Sequence, residues 1–445
     1  MKGMVKKKRE FSSFQIMALG FAGVIVIGAI ILMLPISSAS GVRTPFINAL
    51  FTSTTSVCVT GLIVYDTGTY WSEFGQAVIL ALIQIGGLGI ITVAASFALI
   101  AGRRIGLFQR STMQEAVAAP KISGIVRLTK FILRMTFGLE FMGAVIMAPK
   151  FISRFGIAKG LWFSVFHSIS AFCNAGLDLM GENKAFSSLT SYVDDPVINL
   201  VIMGLIIFGG LGFLTWDDIH THGIHLRKYR MQSKVILTTT GILILLPAIL
   251  FFVLEFDDMP LKRRILASLF QAITPRTAGF NTVDLTLMSE PAKLIIIILM
   301  LIGGSPGSTA GGMKTTTFAV LIACSISVFK RQDSAKFYGR RIAHDAILTA
   351  ATLAFMYIGL CITGGIIICF IEELPLLSCI FETASAIGTV GLTLGITTKL
   401  NIISKCILII FMYIGRVGGL TLIYATLSEK KMYMGRFPLE KITIG

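Results

Sequence analysis

Charge is scarce in this 445-residue chain: only 14% of residues are Asp, Glu, Lys or Arg, while 54% are apolar or aromatic. With the 44 glycines the apolar share reaches about 64%, against ~45–50% for soluble domains on that count. A water-soluble fold of this size cannot hide so much apolar surface, which excludes a disordered chain and an ordinary cytosolic enzyme. Cysteine is sparse and unpatterned. The seven cysteines form no CxxC pair and no Cys/His cluster, so they support neither a zinc site nor a disulfide framework. Cys324, Cys361, Cys369 and Cys406 lie among Ile, Leu, Val and Phe, the setting of small buried hydrophobes. An ATP motif is also missing. Residues 307–312 keep GxxxxG spacing, but Met313 stands where a phosphate loop carries lysine, and no strand precedes it. Acidic residues number 23 against 39 basic ones, a net charge of +16, and such an excess points to an anionic partner or surface. The basic linkers 102–129 and 330–341 lack the interleaved aromatics of a nucleic-acid platform, which leaves anionic lipid or an acidic docking protein.

What is present is membrane sequence. About 20 apolar residues suffice to cross a bilayer, and eight such windows occur, near 14–34, 76–101, 125–148, 197–214, 235–254, 293–329, 346–370 and 402–427. The first follows Lys2, Lys6, Lys7, Lys8 and Arg9 but exceeds a secretory h-region of ~7–15 residues, so it reads as a retained helix. The sixth is too long and is interrupted by glycines. Between each odd window and the next lies a shorter mixed stretch: 46–62, 161–177, 265–280 and 377–392.

These stretches end alike, on Val59-Thr60-Gly61-Leu62, Asn174-Ala175-Gly176-Leu177, Thr277-Ala278-Gly279-Phe280 and Thr389-Val390-Gly391-Leu392. Further on, a second signature recurs as Gly86-Gly87-Leu88-Gly89, Gly209-Gly210-Leu211-Gly212, Gly303-Gly304-Ser305-Pro306-Gly307 and Gly415-Arg416-Val417-Gly418. Two registered signatures repeated four times describe one unit reused: helix, short re-entrant segment, helix. The expected fold is an all-α polytopic membrane protein, with eight transmembrane helices and four re-entrant loops around a pseudo-fourfold pore. The expected divisions are a basic N-terminus at 1–12, repeats at 13–105, 106–222, 223–335 and 336–428, and a tail at 429–445.

Charge orients this plan. The termini and the linkers between repeats hold 24 Lys/Arg against 8 Asp/Glu, whereas the segments beside the re-entrant stretches hold 12 against 14. The positive-inside rule makes the linker face and both termini cytoplasmic. Lys262-Arg263-Arg264 on the other face is offset by Glu255, Asp257 and Asp258. His220, His222 and His225, beside Asp217 and Asp218, fall in a polar linker and read as solvated rather than as metal ligands.

Non-helical backbone at membrane depth is tolerated only where protein or water satisfies it. Each re-entrant stretch begins with a half-helix rich in small polar residues: Ser53, Thr54, Thr55 and Ser56; Ser168 and Ser170; Gln271 and Thr274; Thr383 and Ser385. Half-helices aimed inward present negative C-terminal ends to the centre, and a ring of backbone carbonyls can replace a cation's hydration shell. Oxygen ligands of this kind suit a hard monovalent cation.

Thr389-Val390-Gly391 resembles the front of the potassium-channel filter, and the fourfold repeat resembles the Trk/Ktr/HKT family of potassium transporters over essentially the whole chain. With eight spans and a short N-terminus, it is most similar to the membrane subunit of the bacterial Ktr potassium uptake system. The resemblance implies a K+ filter built from the carbonyls of Val59, Thr60, Gly61, Asn174, Ala175, Gly176, Thr277, Ala278, Gly279, Thr389, Val390 and Gly391. It implies a homodimer with one pore per subunit, and a cytoplasmic nucleotide-binding RCK/KTN-type ring that controls opening. No copy carries the channel ending, since Leu62, Leu177, Phe280 and Leu392 follow the glycines, so selectivity should be softer than a symmetric channel's; whether Na+ is coupled stays open.

The sixth window is interrupted from Gly303 through Gly304, Ser305, Pro306, Gly307, Ser308, Thr309, Ala310, Gly311 and Gly312 to Met313 and Lys314. Proline and five glycines cannot hold a regular membrane helix. This loop lies one helix beyond the third filter strand, where it can block conduction and move aside, and in the family it acts as a gate. Arg416 takes the slot of Gly87, Gly210 and Gly304; a charge at that depth costs about 2.5–3.5 kcal/mol, so it should line a cavity near the broken span and help hold the gate or set an electrostatic barrier. Lys314 either does similar work or sits solvated at the inner mouth. Glu140 and Arg134, six apart, do not share a helix face. The alternatives to K+ uptake are the translocating subunit of a pump with a partner ATPase, and an intramembrane hydrolase using Ser305 or Ser308, with His167 and His344 as the nearest bases in sequence.

Overall fold

The computed structural model describes residues 12–100, 105–117, 121–182, 184–426 and 440. The termini expected at 1–12 and 429–445 thus lie outside the described residues, apart from Ser12 and Glu440, as does part of linker 102–129. The first repeat comprises α1 (Ser13–Leu32), the short pore helix α2 (Phe46–Val57), the single turn α3 (Thr67–Tyr70) and a second helix in two pieces, α4 (Glu73–Leu88) and α5 (Ile90–Ile100). A linker helix, α6 (Leu107–Ala116), leads to the second repeat: α7 (Ile125–Phe155), pore helix α8 (Ile157–Cys173), α9 (Pro196–Gly210) and α10 (Phe213–His222). The third has α11 (Met231–Leu254), α12 (Leu261–Ile273), α13 (Glu290–Leu301) and α14 (Thr315–Phe329). The fourth has α15 (His344–Glu372), α16 (Leu376–Gly388), α17 (Ile402–Val417) and α18 (Gly419–Thr426). The chain is an all-α polytopic membrane protein.

The repeat is written in start signals. Pro45, Pro260 and Pro375 precede the pore helices of repeats one, three and four, and each second helix opens on a side-chain N-cap: Ser72, Asp195, Ser289 and Asn401. α1, α7, α11 and α15 are long and apolar enough to span a bilayer unbroken. Their outer faces carry exposed residues such as Ile27, Phe141, Ile249 and Phe355. Polarity is inverted inside, where Ser53, Thr54, Thr55 and Ser56 are fully buried. Part of that polarity ties the pore helices of repeats one, two and four to the first helix of their own repeat. Ser53 Oγ donates to the Ile25 carbonyl at 2.7 Å, Ser168 Oγ to that of Glu140 at 2.6 Å, and Thr383 Oγ1 to that of Cys361 at 2.9 Å.

Three sequence expectations change here. Only the sixth span was expected to break, yet the second helix breaks in every repeat: α4 and α5 meet at 95°, α9 and α10 at 101°, and α17 and α18 at 92°. The break residues Gly89, Gly212 and Gly418 have φ of 82°, 86° and 92°, which a continuing helix cannot adopt. The displaced pieces α5, α10, α14 and α18 pack on α7, α11, α15 and α1, closing the four repeats into a ring. Second, the linker at 330–341 folds as a small hairpin, β1 (Lys336–Phe337) against β2 (Arg340–Arg341). Tyr338 and Gly339 both take positive φ, the geometry of a two-residue hairpin turn. Third, of the cysteines read as buried hydrophobes only Cys361 is buried; Cys324 and Cys369 are intermediate and Cys406 is exposed on the apolar outer surface.

Candidate functional site

The four quartets share one backbone conformation. Val59, Asn174, Thr277 and Thr389 have φ between 52° and 70°, and the glycines two residues later, Gly61, Gly176, Gly279 and Gly391, have φ between 64° and 94°. Alternating left-handed residues turn successive carbonyls to the same side, which an ordinary strand cannot do. The pore helices end at Val57, Cys173, Ile273 and Gly388, next to these quartets, so four negative helix termini converge there.

The quartets close a ring. A Cβ on Gly61 would stand 2.6 Å from the Ala175 carbonyl oxygen, and one on Gly176 would stand 2.5 Å from that of Ala278. A Cβ on Gly279 would strike the Val390 carbonyl, and one on Gly391 that of Thr60. Each repeat therefore touches the next, and the fourth touches the first. All four glycines also floor an outward cavity of about 490 Å³.

Hydroxyls on the pore helices brace the ring. Thr55 Oγ1 accepts from Gly61 N at 2.9 Å and Ser385 Oγ from Gly391 N at 3.0 Å. Ser170 Oγ donates to the Leu177 carbonyl and Thr274 Oγ1 to that of Phe280, both at 2.7 Å. These four residues occupy one register, with the third repeat a residue shorter. The second glycine signature has a matching cause. A Cβ on Gly86, Gly209 or Gly415 would fall on the carbonyl of Val57, Phe172 or Ile387, each two residues before its quartet. The helix breaks thus press against the base of the ring.

In the third repeat the loop after α13 intervenes instead. It hooks onto its neighbours through backbone bonds: Ser305 N to Gly210 O at 2.9 Å, Phe213 N to Gly307 O at 2.7 Å, and Gly312 N to Gly415 O at 3.0 Å. Thr309 N reaches Gly209 O at 3.2 Å, and its hydroxyl reaches Phe172 O at 3.0 Å. Ser308 Oγ donates to Ser305 O at 2.6 Å, and Ser305 Oγ faces Thr315 Oγ1 at 3.1 Å. Gly311 lies directly under the Thr389 side chain, where a Cβ would meet its hydroxyl. Arg416 donates to the carbonyls of Thr309 on the loop and Gly86 on α4, and to Gly87 O at 3.1 Å. Lys314 folds back onto the loop, its Nζ donating to Ala310 O at 2.7 Å. Pro306, Ala310, Gly312, Lys314 and Arg416 share a second cavity of about 400 Å³. Gly304 packs against Ala310 at its edge, and a Cβ there would strike Ala310.

The remaining candidates do not assemble. Ser305 and Ser308 are bound within the loop. His167 lies in α8 with Nδ1 2.7 Å from Phe163 O, and Nε2 takes the Leu179 N–H at 3.4 Å. His344 begins α15. His220 lies tilted against the Phe131 ring and His222 against that of Tyr229, while His225 Nδ1 lies 3.2 Å from His222 O. Among the described residues no group of three His, Cys, Asp or Glu could hold a metal ion.

Several buried polar residues escaped sequence reasoning, which placed Arg276 and Glu382 among the outer-face charges. Arg276, just before Thr277, is 6% exposed and donates to Thr240 Oγ1 at 3.2 Å. Glu382 is fully buried in α16 and accepts from the hydroxyls of Thr393 and Thr397. Glu140 is bridged by Gln84 Nε2 at 3.1 and 3.2 Å to its two carboxylate oxygens. Its partner comes from α4, 56 residues away, so no local spacing announces it. At the rim of the outer cavity, the Thr286 hydroxyl and N–H hold the exposed Asp284 carboxyl below the usual carboxylate range.

The chain is similar to known proteins along its whole length. The family described as "TrkH: Cation transport protein" matches residues 9–434. The potassium/sodium uptake protein NtpJ of Enterococcus hirae is 39% identical over 456 residues, covering 100% of this chain and 99% of that protein. The Ktr system potassium uptake protein B of Bacillus subtilis is 39% identical over 450 residues, with coverage of 100% and 99%. The crystal structure of the potassium transporter TrkH from Vibrio parahaemolyticus superposes with a TM-score of 0.72 over 96% of this chain and 87% of that one, at 19% identity.

Proposed function

Because the chain belongs to the TrkH family of cation transport proteins, and is therefore a membrane transport protein rather than an enzyme, we propose that it is the ion-conducting subunit of a potassium uptake system. The observation that carries this reading is the closed ring, in which each quartet glycine stands against a carbonyl of the next repeat. Twelve quartet carbonyls, braced from behind and faced by four helix C-termini, offer a dehydrated cation oxygen ligands in place of water. The relatives named for potassium uptake, one of them for potassium and sodium, support K+ as the cargo, with Na+ the ion to test beside it. With the basic linkers inside, an entering cation gains ~2.3 kcal/mol per 100 mV of inside-negative potential.

The loop from Gly303 to Lys314 serves as the gate in this reading. It crosses beneath the ring, is bonded to the breaks of repeats two and four, and is tied to repeat one through Arg416. A loop held to its neighbours by hydrogen bonds can leave without unfolding the scaffold. Relatives named as one protein of a Ktr system support a partner subunit. We assign it to the basic cytoplasmic face, as a nucleotide-binding ring acting on a homodimer of this chain, in a role in K+ homeostasis and osmotic adaptation.

Flux of K+ through the purified full chain in liposomes tests the core of the proposal. K+ flux that exceeds Na+ flux and disappears in Gly391→Asp supports it, and a wild-type chain that carries neither ion overturns it. Recovery of a soluble nucleotide-binding protein with the membrane-extracted chain tests the partner, and its absence at native expression argues against that part alone.

A further inference from the structure

The register that places the ring glycines continues outward. Two residues beyond each glycine stand Ile63, Asp178, Asn281 and Thr393, and all four line the outer cavity, making a second tier above the ring. Three of the four carry side-chain oxygen. Thr393 is committed, its hydroxyl donating to Glu382 and lying 3.0 Å from Thr397 Oγ1. Asp178 uses one oxygen to cap Met180 N at 2.9 Å. Between repeats two and three the situation differs. Asn281 Oδ1 and Thr282 Oγ1 are both buried atoms without a hydrogen-bond partner. Thr282 is only 3% exposed and, like Asn281, lines the cavity. Ser188 joins the two repeats there, its hydroxyl accepting the Asn281 N–H at 3.1 Å and bonding the Asp178 carboxyl, which burial and the nearby Asp66 push up to about 7.

Buried oxygens left unpaired are costly, and natural folds satisfy nearly all of them. Here the unpaired oxygens lie buried in the wall of the outer cavity, on residues that line it together with Asp178. The other charges of the cavity are engaged elsewhere. Arg263 is turned onto Asp194, and Lys184 stands by Asp284. One carboxylate with an amide and a hydroxyl oxygen, and neither His nor Cys in the tier, is the ligand chemistry of a hard monovalent ion. A divalent ion would draw on more carboxylates.

We propose that Asp178, Asn281 and Thr282 form a loading site in the outer mouth, which holds a partly hydrated alkali cation before it enters the glycine ring. The site rests on the function proposed above and deepens it: the ring sets which ion passes, and this tier sets the external concentration at which the ring fills. Its asymmetry is part of the inference. Repeat one offers Ile63 at the same register, so the waiting ion sits off the axis, between repeats two and three.

The test measures K+ uptake against external K+ in liposomes bearing the full chain under an inside-negative potential. Asp178→Asn should raise the half-saturating K+ about fourfold, the contribution of one charge to a cation ~5 Å away in a water-filled mouth, with maximal flux unchanged. Thr282→Val, which keeps shape and loses only oxygen, should shift it in the same direction. Asp284→Asn, exposed on the rim of the same cavity, should keep wild-type half-saturation. Unchanged half-saturation in both Asp178→Asn and Thr282→Val overturns the site. So does an equal shift in Asp284→Asn, which would mean diffuse surface charge rather than a binding site. A wild-type chain with no flux would instead remove the function on which the site depends.

Discussion

Removing the Arg416 side chain should open the pore at rest. Its guanidinium donates to three main-chain carbonyls, of which only that of Thr309 belongs to the loop; Gly86 and Gly87 belong to α4. When the loop leaves, the bond to Thr309 is lost and those to α4 stay. A hydrogen bond from a charged donor is worth about 1.5–3 kcal/mol. Arg416→Ala should therefore raise the open-to-closed ratio roughly 10- to 150-fold at a tenfold per 1.4 kcal/mol. The loop's backbone bonds to Gly209, Gly210 and Gly415 remain in the variant, so it should be leaky rather than permanently open. Loss of a positive charge beneath the ring acts in the same direction, and Arg416→Lys separates the two effects. Lysine keeps the charge but cannot fork between Thr309 and α4. If the fork matters most, Arg416→Lys leaks nearly as much as Arg416→Ala; if the charge matters most, it behaves as wild type. The assay is K+ efflux from liposomes bearing the chain alone, without any activating partner. Equal resting leak in wild type and Arg416→Ala would refute the latch and the barrier together.

Three further outcomes follow from the same geometry. Gly391→Ala should abolish K+ flux while the protein still elutes as a folded species. Its φ of 93° excludes a side chain, and the added Cβ would stand 2.8 Å from Gly61 Cα; ordinary flux would mean that the ring tolerates displacement. Thr55→Val and Ser385→Ala each leave a ring amide unpaired, at a cost of about 1–3 kcal/mol, and should lower the K+/Na+ flux ratio; unaltered selectivity would show that the helix-end carbonyls brace the ring without them. Glu140→Ala strips Gln84 Nε2 of both its acceptors and leaves a void on α7, so it should lower the melting temperature in detergent, whereas Glu140→Gln should lose much less. Identical melting curves for Glu140→Ala and wild type would remove the structural role.

How much of this could be read without coordinates depends on the range of the forces involved. The class, the eight apolar windows and the fourfold plan are local. They follow from hydropathy over about 20 residues and from two glycine signatures recurring in order. The quartets were legible for the same reason: Gly61, Gly176, Gly279 and Gly391 mark backbone that only glycine enters easily. The breaks in α4, α9 and α17 were written in Gly89, Gly212 and Gly418 but not legible, because glycine is also frequent in unbroken membrane helices. Just before each break, Gly86, Gly209 and Gly415 let a pore-helix carbonyl approach closely, a contact between distant segments. The partners of Arg416 lie 107 and 330 residues away, and that of Glu140 lies 56 away. Arg276 and Glu382 looked like outer-face charges because burial depends on what packs around a residue and not on its neighbours in sequence. Amino-acid order thus decided which segments enter the membrane and which backbone turns are allowed. Only the closing of four repeats on one another decided which carbonyl faces which glycine, because a ring exists nowhere in any one of its quarters.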